Sequence, residues 1–352
     1  MQNSQLLDEL INIVIKENGS DLHLSEERNP VIRVAGYLIP LVKIASLTRE
    51  NIDGFLSELL LPENKKEFLE KKELDFGFSN RNARFRGNAF YSLGRMSISL
   101  RLIPKQIRTL QELNLPDILA TFAKRQQGFF MVVGPTGHGK STTLATLVDM
   151  INRDRLEHIV TIEDPIEYIF EPKKSIIDQR EVKVDTTDFH IALRSVFRQD
   201  VDVLMIGEMR DTETMGTAVT AAETGHLVMS TLHTNTASQT IDRIIDSFPS
   251  DQQGQIRTQL SGSLAGIFSQ RLIPRISGGL IPAYELLINN TAVSNLIRDK
   301  RTHEINAVIE TGSTEGMIDL NRSLASLVQR GEISVENAYL YSTNPRTLEK
   351  IL

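Results

Sequence analysis

The residues with the clearest chemistry lie in the stretch FFMVVGPTGHGKSTTLATL. Gly134, Gly139, Lys140 and Ser141 satisfy the spacing G-x-x-x-x-G-K-S/T of a phosphate-binding loop. A triphosphate needs several donors converging at close range. Glycines let the backbone bend so that its N–H groups point inward. A helix beginning near Lys140 adds the positive end of its dipole. The expected ATP-binding set is Gly134, Pro135, Thr136, Gly137, His138, Gly139, Lys140, Ser141 and Thr142. Within it the Lys140 ammonium neutralises β/γ-phosphate charge, and the Ser141 hydroxyl ligates Mg²⁺. His138 is either a phosphate contact or a tolerated side chain at a variable position.

Further acids, histidines and arginines could complete this site. Glu163 and Asp164 follow an apolar strand in HIVTIEDPIEY, where a carboxylate is placed to orient an attacking water. Glu208 follows another in VDVLMIGEMRD and resembles a Walker B acid, which would hold Mg²⁺ through water alongside Ser141. His226 and His233 flank a third strand in GHLVMSTLHTN. On an extended strand they lie roughly 20 Å apart, which argues against a shared metal. Each is either a structural histidine or a neutral sensor of the γ-phosphate. Arg84 and Arg86 share one face of ARFRGNAF, and Arg101 follows on the next strand. This row is either a solvated face or a source of an arginine finger in trans. Asp21 and His23 in SDLHL look like a metal pair only superficially and are read as structural.

The elements that must position these groups fall into two patterns. Residues 1–104 read as a small α+β domain. It starts with an amphipathic helix carrying Leu6, Leu7, Leu10, Ile11 and Val14, and Asp21–Leu24 follows. A strand pair, 31–34 and 37–42, turns at Ala35–Gly36. Helices over about 48–60 and 63–71 and strands over 74–78, 84–90 and 96–102 complete it. Residues 105–116 read as a hinge between prolines. From 117 to 352 strands over 129–133, 159–162, 203–206 and 227–230 alternate with helices, which implies a largely parallel α/β sheet covered on both faces. The chain is helical from about Ala292.

The formal net charge of -6 gives no global attraction to nucleic acid or anionic lipid, so no nucleic-acid partner is expected. With no cysteine, disulfides and thiolate metal sites are excluded. No apolar run approaches the roughly 20 residues that span a bilayer, so membrane contact is expected only through partners.

Together GPTGHGKST, TIEDPIEY, GEMRDTET and TAAETGHLVMSTLHTN resemble the secretion ATPase superfamily, closest to its type IV pilus retraction branch, the PilT family. SDLHL, ARFRGNAF and GMIDLNRSLASLVQRGEIS extend the resemblance essentially end to end. It implies a RecA-like ATPase core, a smaller PAS-like N-terminal domain, a helical C-terminal region and a homohexameric ring. It assigns Glu163 as general base, Glu208 as Walker B acid, His226 and His233 as a histidine box, and Arg86 and Arg101 as arginines that reach ATP at domain and subunit boundaries. The implied activity is Mg²⁺-dependent ATP hydrolysis coupled to pilus retraction, at the cytoplasmic face of the inner membrane. The implied partners are a PilC-like platform protein and a second retraction ATPase. Alternatives are an accessory PilU-like retraction ATPase, a regulatory ring with little turnover, and a nucleic-acid translocase, which the acidic balance disfavours. The absence of cysteine separates the chain from extension and type II secretion ATPases, which usually carry a four-cysteine zinc module. Two positions depart from the family. His138 stands where serine is usual, and Ala292-Val293-Ser294-Asn295-Leu296 carries serine at the centre of the retraction-linked AIRNL motif.

Overall fold

A computed structural model describes residues 2–34, 36–80, 83–103 and 106–352. The chain divides into two compact units, Met1–Gln106 with Pro165–Ile169, and Ile107–Asp164 with Phe170–Leu352. The boundary at 106/107 falls inside the segment read as a hinge. Of that region, Pro104 and Lys105 lie outside the described residues, as does Ala35 of the expected Ala35–Gly36 turn.

The first unit runs α1 (Gln2–Lys16), β1 (Asp21–Ser25), β2 (Val31–Val34), β3 (Tyr37–Pro40), α2 (Arg49–Leu59), α3 (Pro62–Lys71), β4 (Glu73–Ser79), β5 (Arg84–Ser92) and β6 (Arg95–Ile103). Its sheet, ordered β3-β2-β1-β6-β5-β4, is antiparallel throughout. One apolar cluster joins Leu10 and Val14 of α1, Phe55 of α2 and Phe68 of α3 to Leu22, Phe85 and Leu100 of the sheet. Along β5 the side chains alternate, so Phe85 is buried while Arg86 is exposed. In register, Arg86 sits directly opposite Arg101 of β6.

The second unit begins with α4 (Leu119–Ala123), β7 (Gly128–Val133), α5 (Lys140–Asp154), β8 (His158–Glu163), β9 (Ile176–Glu181) and α6 (Phe189–Val196). It continues through β10 (Val203–Ile206), α7 (Thr212–Glu223), β11 (Leu227–Leu232), α8 (Ala237–Asp246), α9 (Gln253–Ser263), β12 (Leu264–Pro274) and β13 (Leu280–Ile288). Helices α10 (Thr291–Arg298), α11 (Ile305–Thr311), α12 (Leu320–Gln329), α13 (Val335–Tyr341) and α14 (Pro345–Glu349) close it. The sheet is ordered β13-β12-β7-β11-β10-β8-β9, with only the β12–β13 pair antiparallel. This is an α/β fold.

Alternation along β7 divides its side chains between the two faces. Phe129, Met131 and Val133 join the cluster that includes α6, α7 and α8. Phe130 stacks on Phe122 of α4, with ring centres 4.2 Å apart. All five side chains from Phe129 to Val133 are fully buried, on the order of 1.5–3 kcal/mol each. That burial fixes where the strand stops, and so where the glycine loop begins.

The sequence pattern does not single out β9, β12 or β13. LAGIFSQRLIP of β12 is buried on both faces, so no alternation marks it as a strand. C-terminal residues Leu320, Leu324 and Leu348 pack on Ile273 and Ile281 of this hairpin.

Candidate active site

Strands β7, β8, β10 and β11 are parallel, so their carboxyl ends share one edge of the sheet. That edge is where an open α/β sheet binds ligands. The phosphate loop leaves β7, Glu163 is the last residue of β8, Glu208 stands two residues past β10, and His233 follows β11 directly.

The loop is moulded against β12. Gly134 has φ of 143°, and a Cβ there would come within 2.3 Å of the Gln270 carbonyl oxygen. Gly139 has φ of 82° and approaches the Gln270 amide, with 2.8 Å from a virtual Cβ to Nε2. At Gly134 the backbone contact admits only glycine, and at Gly139 the left-handed φ favours it. The Gln270 side chain then spans the loop's base: Nε2 donates to the His138 carbonyl at 2.8 Å, and Oε1 accepts from the Thr143 hydroxyl at 2.7 Å. Gln270 and Thr143 are buried. Sequence reasoning missed both; the one trace of Gln270 is a polar residue inside an apolar run.

Lys140 opens α5 and its side chain is buried. Its Nζ donates to the Pro135 carbonyl at 3.0 Å and lies 3.3 Å from Nδ1 of His233. The same Nδ1 is 3.2 Å from the Thr136 hydroxyl. On its other side, Nε2 of His233 faces Glu208 Oε2 at 3.5 Å. Lysine has donors only, so Nδ1 must accept and the ring proton resides on Nε2. Burial, followed by the Lys140 cation, holds the His233 ring below the usual histidine range, against the opposing pull of Glu208. The ring is therefore neutral at pH 7. The second Glu208 oxygen contacts Arg210.

Glu163 is buried, and its Oε1 accepts from the Thr161 hydroxyl at 2.7 Å. Gln179 of β9 approaches the same oxygen at 3.5 Å. β8 is three strands from β7, a spacing of roughly 14 Å. The region above β11 and β10 thus separates the loop from Glu163.

His226 precedes β11, at the opposite end from His233. Its Nδ1 faces the Ala221 carbonyl at 3.0 Å, and its ring meets Phe197 edge-on. In the first unit, Arg86 Nη1 bonds Glu167 at 3.3 Å, and Arg101 Nε bonds buried Asp21 at 2.8 Å. Arg84 donates to Ser79. His23, on the same face of β1 as Asp21, faces the Ser99 hydroxyl at 3.2 Å. No group of three or more His, Asp or Glu that could hold a metal occurs among the described residues.

Mg²⁺ fits this donor set. It retains several waters and is usually held by one or two protein oxygens together with substrate phosphates, not by an all-protein cage. A loop hydroxyl, Ser141, and a partly exposed carboxylate, Glu208, are groups of that kind.

Residues 2–340 match the family described as Type II/IV secretion system protein. The type IV pilus retraction ATPase PilT of Pseudomonas aeruginosa is 42% identical over 333 residues, 94% of this chain and 96% of that protein. The type IV pilus ATPase PilU of the same organism is 38% identical over 350 residues, 98% of this chain and 91% of that one. A crystal structure of the pilus retraction motor PilT with bound ADP superposes with a TM-score of 0.90 at 44% identity, covering 97% of this chain and 98% of that one.

Proposed function

The chain belongs to the Type II/IV secretion system protein family, and we propose that within it this protein is an ATPase that drives type IV pilus retraction. The observation that carries the reading is the contact chain Lys140–His233–Glu208, set beside a glycine loop at the carboxyl edge of a parallel sheet.

The loop's N–H groups and the start of α5 receive the phosphates. Lys140 exchanges its contact with the Pro135 carbonyl for phosphate oxygens and keeps the one with His233. Ser141 and Glu208, the latter through water, would hold Mg²⁺, which neutralises phosphate charge when bound. Glu163 orients a water and takes its proton on a carboxylate oxygen as that water attacks the γ-phosphorus and ADP leaves. Burial and the Thr161 hydrogen bond hold the carboxylate in one orientation. Neutral His233 couples the phosphate-binding lysine to the Glu208 carboxylate, so the two respond together to the γ-phosphate.

Arg86 and Arg101 serve as cations supplied by a neighbouring subunit, which requires a ring, and a homohexamer is the assembly proposed. His226 joins the histidine box by family position alone. Residues 105–116 act as the pivot of the domain rotation. The ring works at the cytoplasmic face of the inner membrane on a platform protein. Among the described residues no helix is long and apolar enough to cross a membrane.

The deciding experiment has two arms. Purified full-length chain should release phosphate from MgATP, and Lys140→Ala should abolish the release. Deletion of the gene should leave cells with excess pili and no twitching. Normal retraction in the deletion strain would overturn the pilus role, whereas no turnover by the wild-type chain would overturn the motor. An accessory, PilU-like role is the second reading. Its one motive is the departure from the retraction-linked motif at Ser294, whose hydroxyl donates to the Ser261 carbonyl at 2.8 Å.

A further inference from the structure

The tip of the phosphate loop is held by a side chain as well as by backbone. β7 stops at Val133, and its last residue paired with β12 faces Ser269. β12 runs on to Pro274. Past Ser269, one edge of β12 therefore borders the loop instead of a strand, and a backbone N–H on that edge needs an acceptor. His138 supplies it: Nδ1 accepts the N–H of Leu272 at 2.9 Å. The His138 carbonyl accepts from Gln270 at 2.8 Å. β12 thus grips this one loop residue twice, through its imidazole and through its backbone.

We infer that His138 is a positioning residue, whose Nδ1 docks the loop tip on β12 and so preorganises the loop for a nucleoside polyphosphate. The inference rests on the nucleotide-binding reading above. A loop fixed before its ligand arrives loses less freedom on binding, and affinity rises accordingly. The bond also dictates protonation. A neutral ring accepting at Nδ1 carries its proton on Nε2, and a doubly protonated ring has no acceptor. Burial, then Arg271 of β12 and Lys140 of α5, hold the ring below the usual histidine range. Acidification should therefore release the tip and weaken nucleotide binding.

The test compares acceptors of different reach. In His138→Asn the amide oxygen occupies nearly the position of Nδ1. In His138→Gln it lies one bond further, near Nε2, and His138→Ala has none. Binding of ADP to the full-length chain is measured by calorimetry at pH 7.5 and 6.0 with Mg²⁺ present, alongside kcat and KM for MgATP. Thermal melts without nucleotide confirm that each variant is folded. At pH 7.5 the Kd should rise about 5- to 30-fold in the Ala and Gln variants, the range expected for one interaction of this size. His138→Asn should stay within about threefold of wild type, the spread of such contributions between contexts. KM should follow Kd while kcat stays nearly constant. Between pH 7.5 and 6.0, Kd should rise more in wild type than in His138→Asn. Equal affinity in all four proteins, or an Asn variant as weak as Ala, would overturn the inference. Failure of wild type to bind ADP would instead overturn the nucleotide reading.

Discussion

The Nδ1 nitrogen of His233 lies 3.3 Å from the Lys140 ammonium, and this contact fixes the imidazole as a neutral acceptor facing the phosphate loop. The loop and the acid after β10 are thereby joined through one ring. His233→Ala should lower MgATP turnover about 10- to 100-fold, the size typical of an outer-shell partner of a metal or its ligands. ADP affinity should change little, because the loop backbone is untouched. Steady-state kinetics with a parallel binding titration checks both. Normal turnover would remove His233 from the site.

Glu163→Gln keeps the volume and an oxygen to accept the Thr161 hydroxyl, and removes the base. Turnover should fall about 10²- to 10⁴-fold, the usual worth of a general base, with ATP binding intact. A variant that hydrolyses ATP at the wild-type rate would assign the proton to another group.

The loop glycines should differ in their tolerance of substitution. At Gly134 an added Cβ meets a backbone carbonyl at 2.3 Å, which cannot move without displacing β12. At Gly137, with φ of 79°, nothing lies within 4 Å. Gly134→Ala should abolish ADP binding. Gly137→Ala should show only the left-handed backbone penalty, about 1–2 kcal/mol. Calorimetry and melting curves separate the two, and equal behaviour would contradict the close approach of β12.

Buried Glu285 accepts the Ala237 N–H at the start of α8, the helix that follows the His233 loop. Burial pushes its carboxyl up to about 7, against the Ala237 N–H hydrogen bond and, more weakly, the Arg271 cation. In the unfolded chain it titrates near its ordinary, lower value, so between the two the folded protein binds more protons. Stability from this group therefore falls as pH rises through that window, and the cost is complete above about 7. Glu285→Gln keeps the acceptor and removes the charge. It should raise the melting temperature at pH 8 but not at pH 5, by no more than roughly 3 kcal/mol of stability. An equal effect at both pH values would point to packing instead of charge.

The two arginines of the first unit predict a contrast. The Arg86–Glu167 pair is 43% and 38% exposed, and such surface pairs contribute about 0–1 kcal/mol. Arg86→Ala should leave the melting temperature nearly unchanged while lowering turnover of the assembled ring at least about 100-fold, somewhat under the range for arginine fingers. Arg101→Ala strips a partner from Asp21, whose side chain is only 6% exposed, and should also destabilise the unit. Unchanged turnover by intact Arg86→Ala rings would refute the finger role.

Much of the α/β sheet was legible because strand and helix alternate with short connections. Val203–Ile206 appears in the structure with the expected bounds, and a helix, Thr212–Glu223, follows it as the alternation requires. Legibility failed at β12 and β13, where burial on both faces erases the alternation that marks a strand. It also failed for the histidine pair. Spacing alone left His226 and His233 equivalent, but parallel pairing of β11 puts one at each end of the sheet, and only the carboxyl end carries the loop.

The sequence by itself determined the phosphate loop, the acids after two strands and the family. These signals are local, since a loop of a few residues folds on itself and its glycines, lysine and serine are neighbours along the chain. What only the tertiary structure decided is what the loop rests on. Gln270 and Leu272 reach His138 from 132 and 134 residues away. Sheet order, not spacing, brings them there: β12 pairs with β7 because their buried faces complete one core, and no window of sequence contains both.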